Sequence, residues 1–248
     1  MLPPSDRCWT IAQVVAAVGD SGPASAWPVN VARRRRSALA FALAAVGGGA
    51  AFAAAPSERW QSLFDGRSLA GWVQTGFEGG GAVRVERPFR GSGGAIVIEA
   101  GTTLSGLTWR DGASLPRTNY ELALEAMRLR GGDFFCCLTF PVGRSAGSFV
   151  VGGWGGTQVG LSSVDRLDAS QNETAREMEF ADDRWYRIRV RVTEAKIEAW
   201  IDETKCVDLP RAGRTIGLRP GEIQKSLPLG VATYMTRAAL REIRLRRL

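Results

Sequence analysis

The sequence predicts an all-β protein in which two antiparallel sheets form a jelly-roll β-sandwich. The 248 residues include 30 glycines and 11 prolines, a composition that favours turns over long helices. Short segments in which apolar and polar residues alternate recur along the chain, as in strands with one buried face. The last of these segments form hairpins that close on a terminal strand, which is the succession that a two-sheet jelly roll requires.

Residues 1–55 are predicted to be an N-terminal extension that contains a signal peptide. Four arginines at 33–36 precede a weakly apolar run at 37–52, and the small residues at 51–53 fit a cleavage site. Because signal peptides begin at the start of a protein, we expect the true start near residues 29–31. The sequence thus predicts a bacterial protein that is exported to the periplasm or secreted, by the Sec or the twin-arginine route.

Residues 56–248 are predicted to be a single domain, and their composition excludes several functions. The chain carries a net charge of +7, but from residue 56 onward 27 basic side chains face 23 acidic ones. These charges are mixed and form no basic face with aromatic residues, so we expect no nucleic-acid binding. No stretch after the signal peptide is apolar enough to span a membrane. Histidine is absent, which excludes a Ser-His-Asp triad, a histidine-bound zinc and an imidazole base.

The domain begins with an apolar anchor at residues 60–72, in which Asp65-Gly66 is a turn dipeptide. Strands are predicted next at 95–99 and 104–109. Residues 119–128 then alternate between two faces of a strand. The face predicted to be buried carries Tyr120, Leu122, Leu124 and Ala126, and the other face carries Glu121, Glu125 and Met127.

The next predicted strand, at 133–142, contains two of the four cysteines. Strict alternation places Phe134, Cys136, Leu138 and Phe140 on one face, and Asp133, Phe135, Cys137 and Thr139 on the other. A bridge from one of these cysteines to Cys206 is conceivable in an exported protein, but buried free thiols are favoured.

The remaining strands complete the sandwich. Residues 184–192 alternate between apolar residues and a stripe of arginines, which we interpret as a solvated face that discourages sheet association. A hairpin is predicted from 196–202 and 205–209, and the last two strands from 228–234 and 239–245.

Residues 152–174 form the candidate ligand-binding stretch. Four glycines flank Trp154, and they leave the backbone free to adopt positive φ and the indole face uncovered. Such an indole suits a flat ligand, for example a sugar ring. The alternative is that the sheet bends here and the indole plugs the end of the core. The stretch ends in a run of carboxylates and amides that exceeds what solubility requires.

Residues 62–72, SLFDGRSLAGW, resemble the opening signature of the DUF1080 family, the 3-keto-disaccharide hydrolase domain. Residues 120–128 are similar to a strand of the same family. The resemblance covers about residues 60–248 and implies a concanavalin-like β-sandwich in an exported bacterial protein. Near residues 133–142 the chain lacks the Asn-Ser-Gly-Ile pattern of the family, which indicates a divergent branch.

The resemblance implies glycosides whose sugar carries a ketone at carbon 3. That ketone acidifies the hydrogen on carbon 2, so the glycosidic bond can break by elimination, after which water adds back. The reaction needs a base, an acid for the leaving oxygen and a partner for the enolate. Without histidine, the base and the acid must be carboxylates or a tyrosine. The candidates are Asp133, Asp165, Asp168 and Glu173, with Arg128 as the enolate partner.

A divalent metal ion is a further candidate component of the site. Asp165, Asp168, Asn172 and Glu173 offer only oxygen atoms, which favour Ca²⁺ or Mg²⁺ over zinc. Their spacing matches no EF-hand loop. The sequence therefore leaves open whether a metal ion binds.

Two other functions are also open. The first is a lectin-like, non-catalytic carbohydrate-binding module, in which Trp154, and Trp200 with Glu198, stack on sugars while Asp168 and Asn172 bind hydroxyl groups. The second is a structural envelope domain that binds other proteins and has no concave pocket. Two carboxylates in one pocket would favour an enzyme, and an open aromatic groove would favour a binder. For both carbohydrate functions the expected partner is a small molecule or an oligosaccharide.

Overall fold

The computed structural model describes residues 59–248, and these consist almost entirely of β-strands. The predicted N-terminal extension with its signal peptide, at residues 1–55, lies outside the described residues. Between residues 59 and 248 there is no helix long and apolar enough to cross a membrane. The elements in chain order are β1 (Gln61–Ser62), β2 (Trp72–Gln74), β3 (Val83–Glu86), β4 (Ala95–Ile98), β5 (Leu104–Trp109), β6 (Tyr120–Arg130), β7 (Cys136–Val142), β8 (Ser145–Gly153), β9 (Gln158–Ser162), β10 (Arg176–Glu177), β11 (Trp185–Val192), β12 (Lys196–Ile201), β13 (Thr204–Pro210), a 3₁₀ helix (Glu222–Ser226), β14 (Gly230–Tyr234) and β15 (Arg237–Arg247).

The strands form two antiparallel sheets, which confirms the predicted all-β sandwich. The eight-stranded sheet has the order β13-β12-β11-β6-β15-β4-β3, and β1 pairs with β15 beside this path. The seven-stranded sheet has the order β10-β9-β8-β7-β14-β5-β2. Strands β7 to β10 and β11 to β13 are successive hairpins, whereas β14 enters between β7 and β5, and β15 enters between β6 and β4. In each sheet, one of the last two strands of the chain therefore pairs with a strand from its first half.

The apolar core fills the space between the sheets. Leu122 on β6 and Leu138 on β7 are both fully buried in it, and burial of one such side chain contributes about 1.5–3 kcal/mol. Tyr120 crosses between the sheets, because its hydroxyl donates a 2.6 Å hydrogen bond to the carbonyl of Pro141. Burial raises the pKa of the Tyr120 phenol well above its ordinary value, so the proton that makes this bond is retained.

The predicted alternation of residues 133–142 is correct from Cys136 onward and wrong for the two phenylalanines before it. Phe135 is fully buried in the core, where its ring lies 5.2 Å from that of Phe180. Phe134 lies on the opposite face of the sheet, 5.8 Å from the ring of Tyr234. The period of two fails because β7 begins only at Cys136, so Phe134 and Phe135 precede regular strand geometry.

The outer face of the eight-stranded sheet carries the predicted arginine stripe, but the stripe is not simply solvated. Glu121 on β6 is fully buried there, and its carboxylate accepts hydrogen bonds from Arg189 (2.9 Å), Arg191 (2.6 Å) and Arg246 (2.7 Å). Burial alone would raise the pKa of Glu121, but the hydrogen bonds and charges of Arg191 and Arg246 outweigh it and hold the pKa below its usual value. One carboxylate thus joins β6, β11 and β15.

The three cysteines within the described residues are buried and free, as predicted. Cys136 belongs to the core, whereas Cys137 lies on the outer face of the seven-stranded sheet. Burial raises the pKa of the Cys137 thiol to about 12, so it behaves as a small apolar residue rather than a nucleophile.

Glu121→Ala is expected to destabilise the protein, because it leaves three arginines without the carboxylate that they surround. Removing one partner of a buried ion pair costs about 3–5 kcal/mol, and we expect the lower end because these arginines are partly exposed. Urea denaturation followed by tryptophan fluorescence measures the free energy of unfolding. The matched control is Glu203→Ala, which removes a highly exposed carboxylate from Arg187 and should leave that free energy nearly unchanged.

The contribution of Glu121 should also depend on pH. Because its pKa in the folded protein lies below the ordinary value of 4.5, the stabilisation is complete above that value and is lost as pH falls through the folded-state pKa. The wild-type protein should therefore lose stability below about pH 4.5 more steeply than Glu121→Gln. Equal free energies of unfolding for Glu121→Ala and Glu203→Ala at pH 7 would contradict this role.

Candidate functional site

A cavity of about 380 Å³ lies on the outer face of the seven-stranded sheet, on the side opposite the core. Its floor comes from β7, β8 and β9 and includes Cys137, Ser148, Val150 and Ser162. Its walls carry three aromatic residues and three charged ones, which are Phe134, Trp154, Tyr234, Asp133, Arg219 and Glu222. Apolar rings and a few charged groups in one concave site are typical of a pocket for a polar small molecule.

Trp154 stands at the rim of the cavity, in the turn between β8 and β9. Its own φ is +48°, and Gly152, Gly155 and Gly156 have φ values of +77°, +92° and +107°. Such a run of positive φ angles requires glycine at most positions, and it leaves no neighbouring side chain over the indole. The indole is 45% exposed, so it forms part of the surface and does not plug the core.

Asp133 lies beside this turn and lines the same cavity. One carboxylate oxygen accepts the backbone N–H of Phe134 at 2.7 Å, and the other accepts the backbone N–H of Gly155 at 3.2 Å. These two hydrogen bonds fix the orientation of the carboxylate and connect it to the Trp154 turn. The structure therefore brings Asp133 and Trp154 together, although 20 residues separate them in sequence.

The opposite wall comes from the end of the segment that follows β13 and from the start of the 3₁₀ helix. Glu222 accepts a 2.7 Å hydrogen bond from the Lys225 ammonium group and a 3.2 Å one from the backbone N–H of Glu78. The hydrogen bond from Lys225, and to a smaller extent that from the backbone N–H of Glu78, hold the pKa of Glu222 below its usual value. Glu222 is therefore a carboxylate at neutral pH. Arg219 is the cationic residue of this wall.

Asp168 lies behind the cavity and contacts two residues that line it. One of its oxygens accepts a 3.4 Å hydrogen bond from the Ser162 hydroxyl, and the other is 3.5 Å from the guanidinium of Arg219. Asp168 does not itself line the cavity, so its geometry suits it to position these two side chains.

Asp165 and Glu173 lie outside the cavity and share one arginine. The guanidinium of Arg214 pairs with the carboxylates of both residues, at 2.5 Å for Asp165. The backbone N–H of Thr215 and the Arg214 side chain hold the pKa of Asp165 below its usual value. Both carboxylates therefore connect the loop that follows β9 to the segment that follows β13.

Asn172 is buried, and its amide is fully used by the loop that contains it. The amide nitrogen donates to the carbonyls of Leu161, Leu167 and Asp168, and the amide oxygen accepts from Thr174. Asn172 thus supports the loop. Within residues 59–248 no group of three or more histidine, cysteine, aspartate or glutamate residues is arranged to hold a metal ion, so the four predicted oxygen ligands do not converge.

The other predicted residues also lie away from the cavity. Arg128 pairs with Asp182 and donates to the carbonyl of Phe180, and it lies under the backbone of Gly156. Trp200 and Glu198 are on β12 of the eight-stranded sheet. There the guanidinium of Arg189 lies 3.9 Å from the centre of the Trp200 ring, and Lys205 donates to Glu198 at 2.5 Å.

Of the charged and aromatic residues of the cavity, four were not predicted from the sequence, namely Phe134, Arg219, Glu222 and Tyr234. The sequence carries a weak signal for two of them, because Arg219 and Glu222 flank a Pro-Gly turn dipeptide in a segment without strand alternation. Charged residues at such a turn indicate a surface loop, but they do not indicate which face of the sheet it covers.

Comparisons with known proteins were made for the whole chain. The model of a family described as the 3-keto-alpha-glucoside-1,2-lyase-like domain matches residues 59–246. A search of the curated proteins gave no match. Among solved structures, the carbohydrate recognition domain of Emp47p is 14% identical, with a TM-score of 0.50 over 75% of this chain and 93% of that one. At this level of identity the likeness shows the fold alone.

Two further solved structures have lower TM-scores. The Crh5 transglycosylase is 8% identical, with a TM-score of 0.49 over 76% of this chain and 83% of that one. The carbohydrate-binding module CBM66 from Bacillus subtilis is 10% identical, with a TM-score of 0.46 over 71% of this chain and 95% of that one.

The family match confirms the resemblance that residues 62–72 carry. It begins at the first described residue and ends within β15, so it spans the whole sandwich on which the cavity lies. Because it also spans well over half of the 248 residues, the chain belongs to the 3-keto-alpha-glucoside-1,2-lyase-like domain family.

Proposed function

We propose that this protein is an exported enzyme that cleaves glycosides whose sugar carries a ketone at carbon 3, by elimination followed by addition of water. The observation that carries the proposal is that two carboxylates, Asp133 and Glu222, line one cavity together with a guanidinium, Arg219. Two carboxylates in one pocket are typical of enzymes that cleave glycosides. Membership of a family named for a 3-keto-glucoside lyase supports the same reaction.

The cavity suits one sugar ring and part of its neighbour. Its volume of about 380 Å³ lies in the range of about 300–1,000 Å³ that is usual for small-molecule sites. Trp154 and Tyr234 offer ring faces to the C–H bonds of a sugar, and Ser148 and Ser162 offer hydroxyl groups to its oxygens. The substrate we propose is therefore a disaccharide or a small glycoside.

In the first step a base removes the proton from carbon 2, and the electrons of that C–H bond form an enolate with the carbon-3 ketone. We assign the base to Asp133, because its carboxylate is already oriented by two backbone N–H groups. We assign stabilisation of the enolate oxygen to Arg219, the cation of the cavity.

In the second step the enolate expels the glycosidic oxygen from carbon 1 and leaves a double bond between carbons 1 and 2. The leaving oxygen takes a proton, and we assign the donor of that proton to the hydroxyl group of Tyr234, which lines the cavity. Glu222 is ionised at neutral pH, so its role is to accept a hydrogen bond from a sugar hydroxyl. Water then adds: its hydroxide bonds to carbon 1, Asp133 returns its proton to carbon 2, and the other proton of the water restores Tyr234. The net reaction is hydrolysis.

A non-catalytic carbohydrate-binding module is the second candidate. It is favoured by the 45% exposed indole of Trp154 at the rim of the cavity, because such a ring stacks on sugars whether or not a reaction follows. Under this alternative the charged residues of the cavity would only bind hydroxyl groups.

Asp133→Asn is expected to reduce kcat on 3-keto-glucosides by about 100- to 10,000-fold, because it removes the proposed base while keeping the size of the side chain. Release of reducing sugar from 3-keto-glucosides and from their unoxidised parents measures this. The matched control is Asp111→Asn, since Asp111 also accepts a backbone N–H, from Ser114, and lies outside the cavity. Turnover of the unoxidised parents at the same rate, or full activity in Asp133→Asn, would contradict the proposal.

Trp154→Ala is expected to weaken binding of the sugar by about tenfold or more, which corresponds to about 1.4 kcal/mol. Isothermal titration calorimetry with the unreactive parent glycoside measures the affinity. Leu248→Ala is the control, because Leu248 is equally exposed and lies outside the cavity. If Trp154→Ala loses binding and no variant or wild-type protein turns over any 3-keto-glycoside, the protein is a binding module.

Export is proposed from the arginine cluster at 33–36 and the weakly apolar run at 37–52. We expect the mature protein in the periplasm or the medium of an expressing bacterium, with its N-terminus near residue 54. Cell fractionation and N-terminal sequencing measure both. Replacing the four arginines with glutamine should retain the protein in the cytoplasm, and an uncleaved N-terminus in the exported fraction would argue against a signal peptide.

A further inference from the structure

A second concave site, larger than the cavity, lies on the outer face of the eight-stranded sheet. We name it the arginine groove, and its volume is about 610 Å³. The turn at residues 64–67 and the loop at residues 87–94 form its walls. Strands β6 and β15 form its floor, with Glu125 and Arg241 on the outward face of the sheet. The groove shares no lining residue with the cavity.

Four arginines line the groove, and within residues 59–248 only one of them has a carboxylate partner. Arg241 pairs with Glu125 at 2.6 Å. Arg67, Arg87 and Arg244 make no ion pair with any carboxylate in residues 59–248. Three guanidinium groups without anionic partners around one polar depression favour binding of an anion from solution.

The lining of the groove holds three acidic residues, Asp65, Glu125 and Glu242, against its four arginines, so one net positive charge remains. The carboxylate of Asp65 stabilises the turn that contains it. It accepts hydrogen bonds from the backbone N–H groups of Arg67 (2.7 Å) and Ser68 (2.8 Å) and from the Ser68 hydroxyl (2.9 Å). Glu242 lines the groove and has no ion-pair partner in the part of the chain that the structure describes. It can therefore accept hydrogen bonds from hydroxyl groups of a ligand.

The two walls of the groove are held against each other. A Cβ atom at Gly94 would lie 1.9 Å from the carbonyl oxygen of Gly66, so the loop and the turn are in direct backbone contact at a position that only glycine allows. Arg67 belongs to one wall and Arg87 to the other. This contact fixes the backbone of the two walls that carry Arg67 and Arg87, so the groove is preformed, which reduces the entropy cost of binding.

We propose that the arginine groove is a second binding site, for an acidic saccharide. The carboxylate or sulfate group of the sugar lies between Arg67, Arg87 and Arg244, and Glu242 accepts its hydroxyl groups. Guanidinium groups bind such planar or tetrahedral anions through paired hydrogen bonds. The site binds and does not react, and it does not depend on the function proposed for the cavity.

The experiment is isothermal titration calorimetry of the full chain with an oligogalacturonide, a neutral oligosaccharide of the same length, and inorganic sulfate. We expect the acidic oligosaccharide to bind and the double variant Arg67→Gln/Arg87→Gln to bind it at least about tenfold more weakly. Both arginines are exposed, so the variant should fold, and an unchanged melting temperature verifies this. The matched control is Arg144→Gln, an exposed arginine outside the groove that should bind as the wild type does.

Three results would overturn the proposal. Equal binding of the acidic and the neutral oligosaccharide would show that the arginines do not select a charge. Wild-type affinity in the double variant would show that binding occurs elsewhere. Binding of inorganic sulfate as tightly as the oligogalacturonide would show that the groove recognises an isolated anion and not a saccharide. Because none of these measurements uses turnover, the result is independent of catalysis in the cavity.

Discussion

The central strands β7, β8 and β9 of the seven-stranded sheet are buried on both faces, and this constraint determines where the cavity lies. The inward residues of β7 and β8 pack on the other sheet, but the residues between them, Cys137 and Val150, are also almost fully buried. Something must therefore cover the outer face. The cover comes from the loop after β9, which contributes Ala169, and from the segment before β14, which contributes Ile223. The cavity is the part of this face that the two segments leave open.

The outer face of the eight-stranded sheet is more polar than that of the seven-stranded sheet. It carries charged residues, and the buried carboxylate of Glu121 is matched by arginines rather than by an apolar cover. Another part of this face is apolar, because Val97, Met127 and Ala239 are buried together with Phe89 of the 87–94 loop. The arginine groove lies where this loop and the turn at residues 64–67 approach each other. The two sites thus lie on opposite outer faces of a sandwich whose sheets are about 10 Å apart. A short sugar cannot contact both, so the groove would hold a ligand independently of the cavity.

Periodic parts of the chain were predictable, and loop positions were not. Alternation identified β6 and β11 because one face of each is apolar, and the glycines around Trp154 indicated an exposed indole. The carboxylates and amides that follow Trp154 stand close together in sequence and therefore suggested a ligand site. Asn172 instead donates hydrogen bonds to backbone carbonyls of the loop and of β9. A long loop that covers a sheet needs such bonds, because its buried backbone groups must be hydrogen-bonded. Arg219 and Glu222 reach the cavity through tertiary contacts, which no local pattern records.

The side chains that can accept or donate a proton limit the chemistry that can occur in the cavity. Lys225 and a backbone N–H keep Glu222 ionised, so Glu222 cannot deliver a proton at neutral pH. The buried thiol of Cys137 has a pKa raised to about 12, so it cannot accept one. Because the chain has no histidine, the proposed reaction assigns proton transfer to Asp133 and Tyr234, which both line the cavity. Elimination next to a ketone suits such a site, because the substrate's own ketone makes the carbon-2 proton acidic and a single carboxylate base suffices.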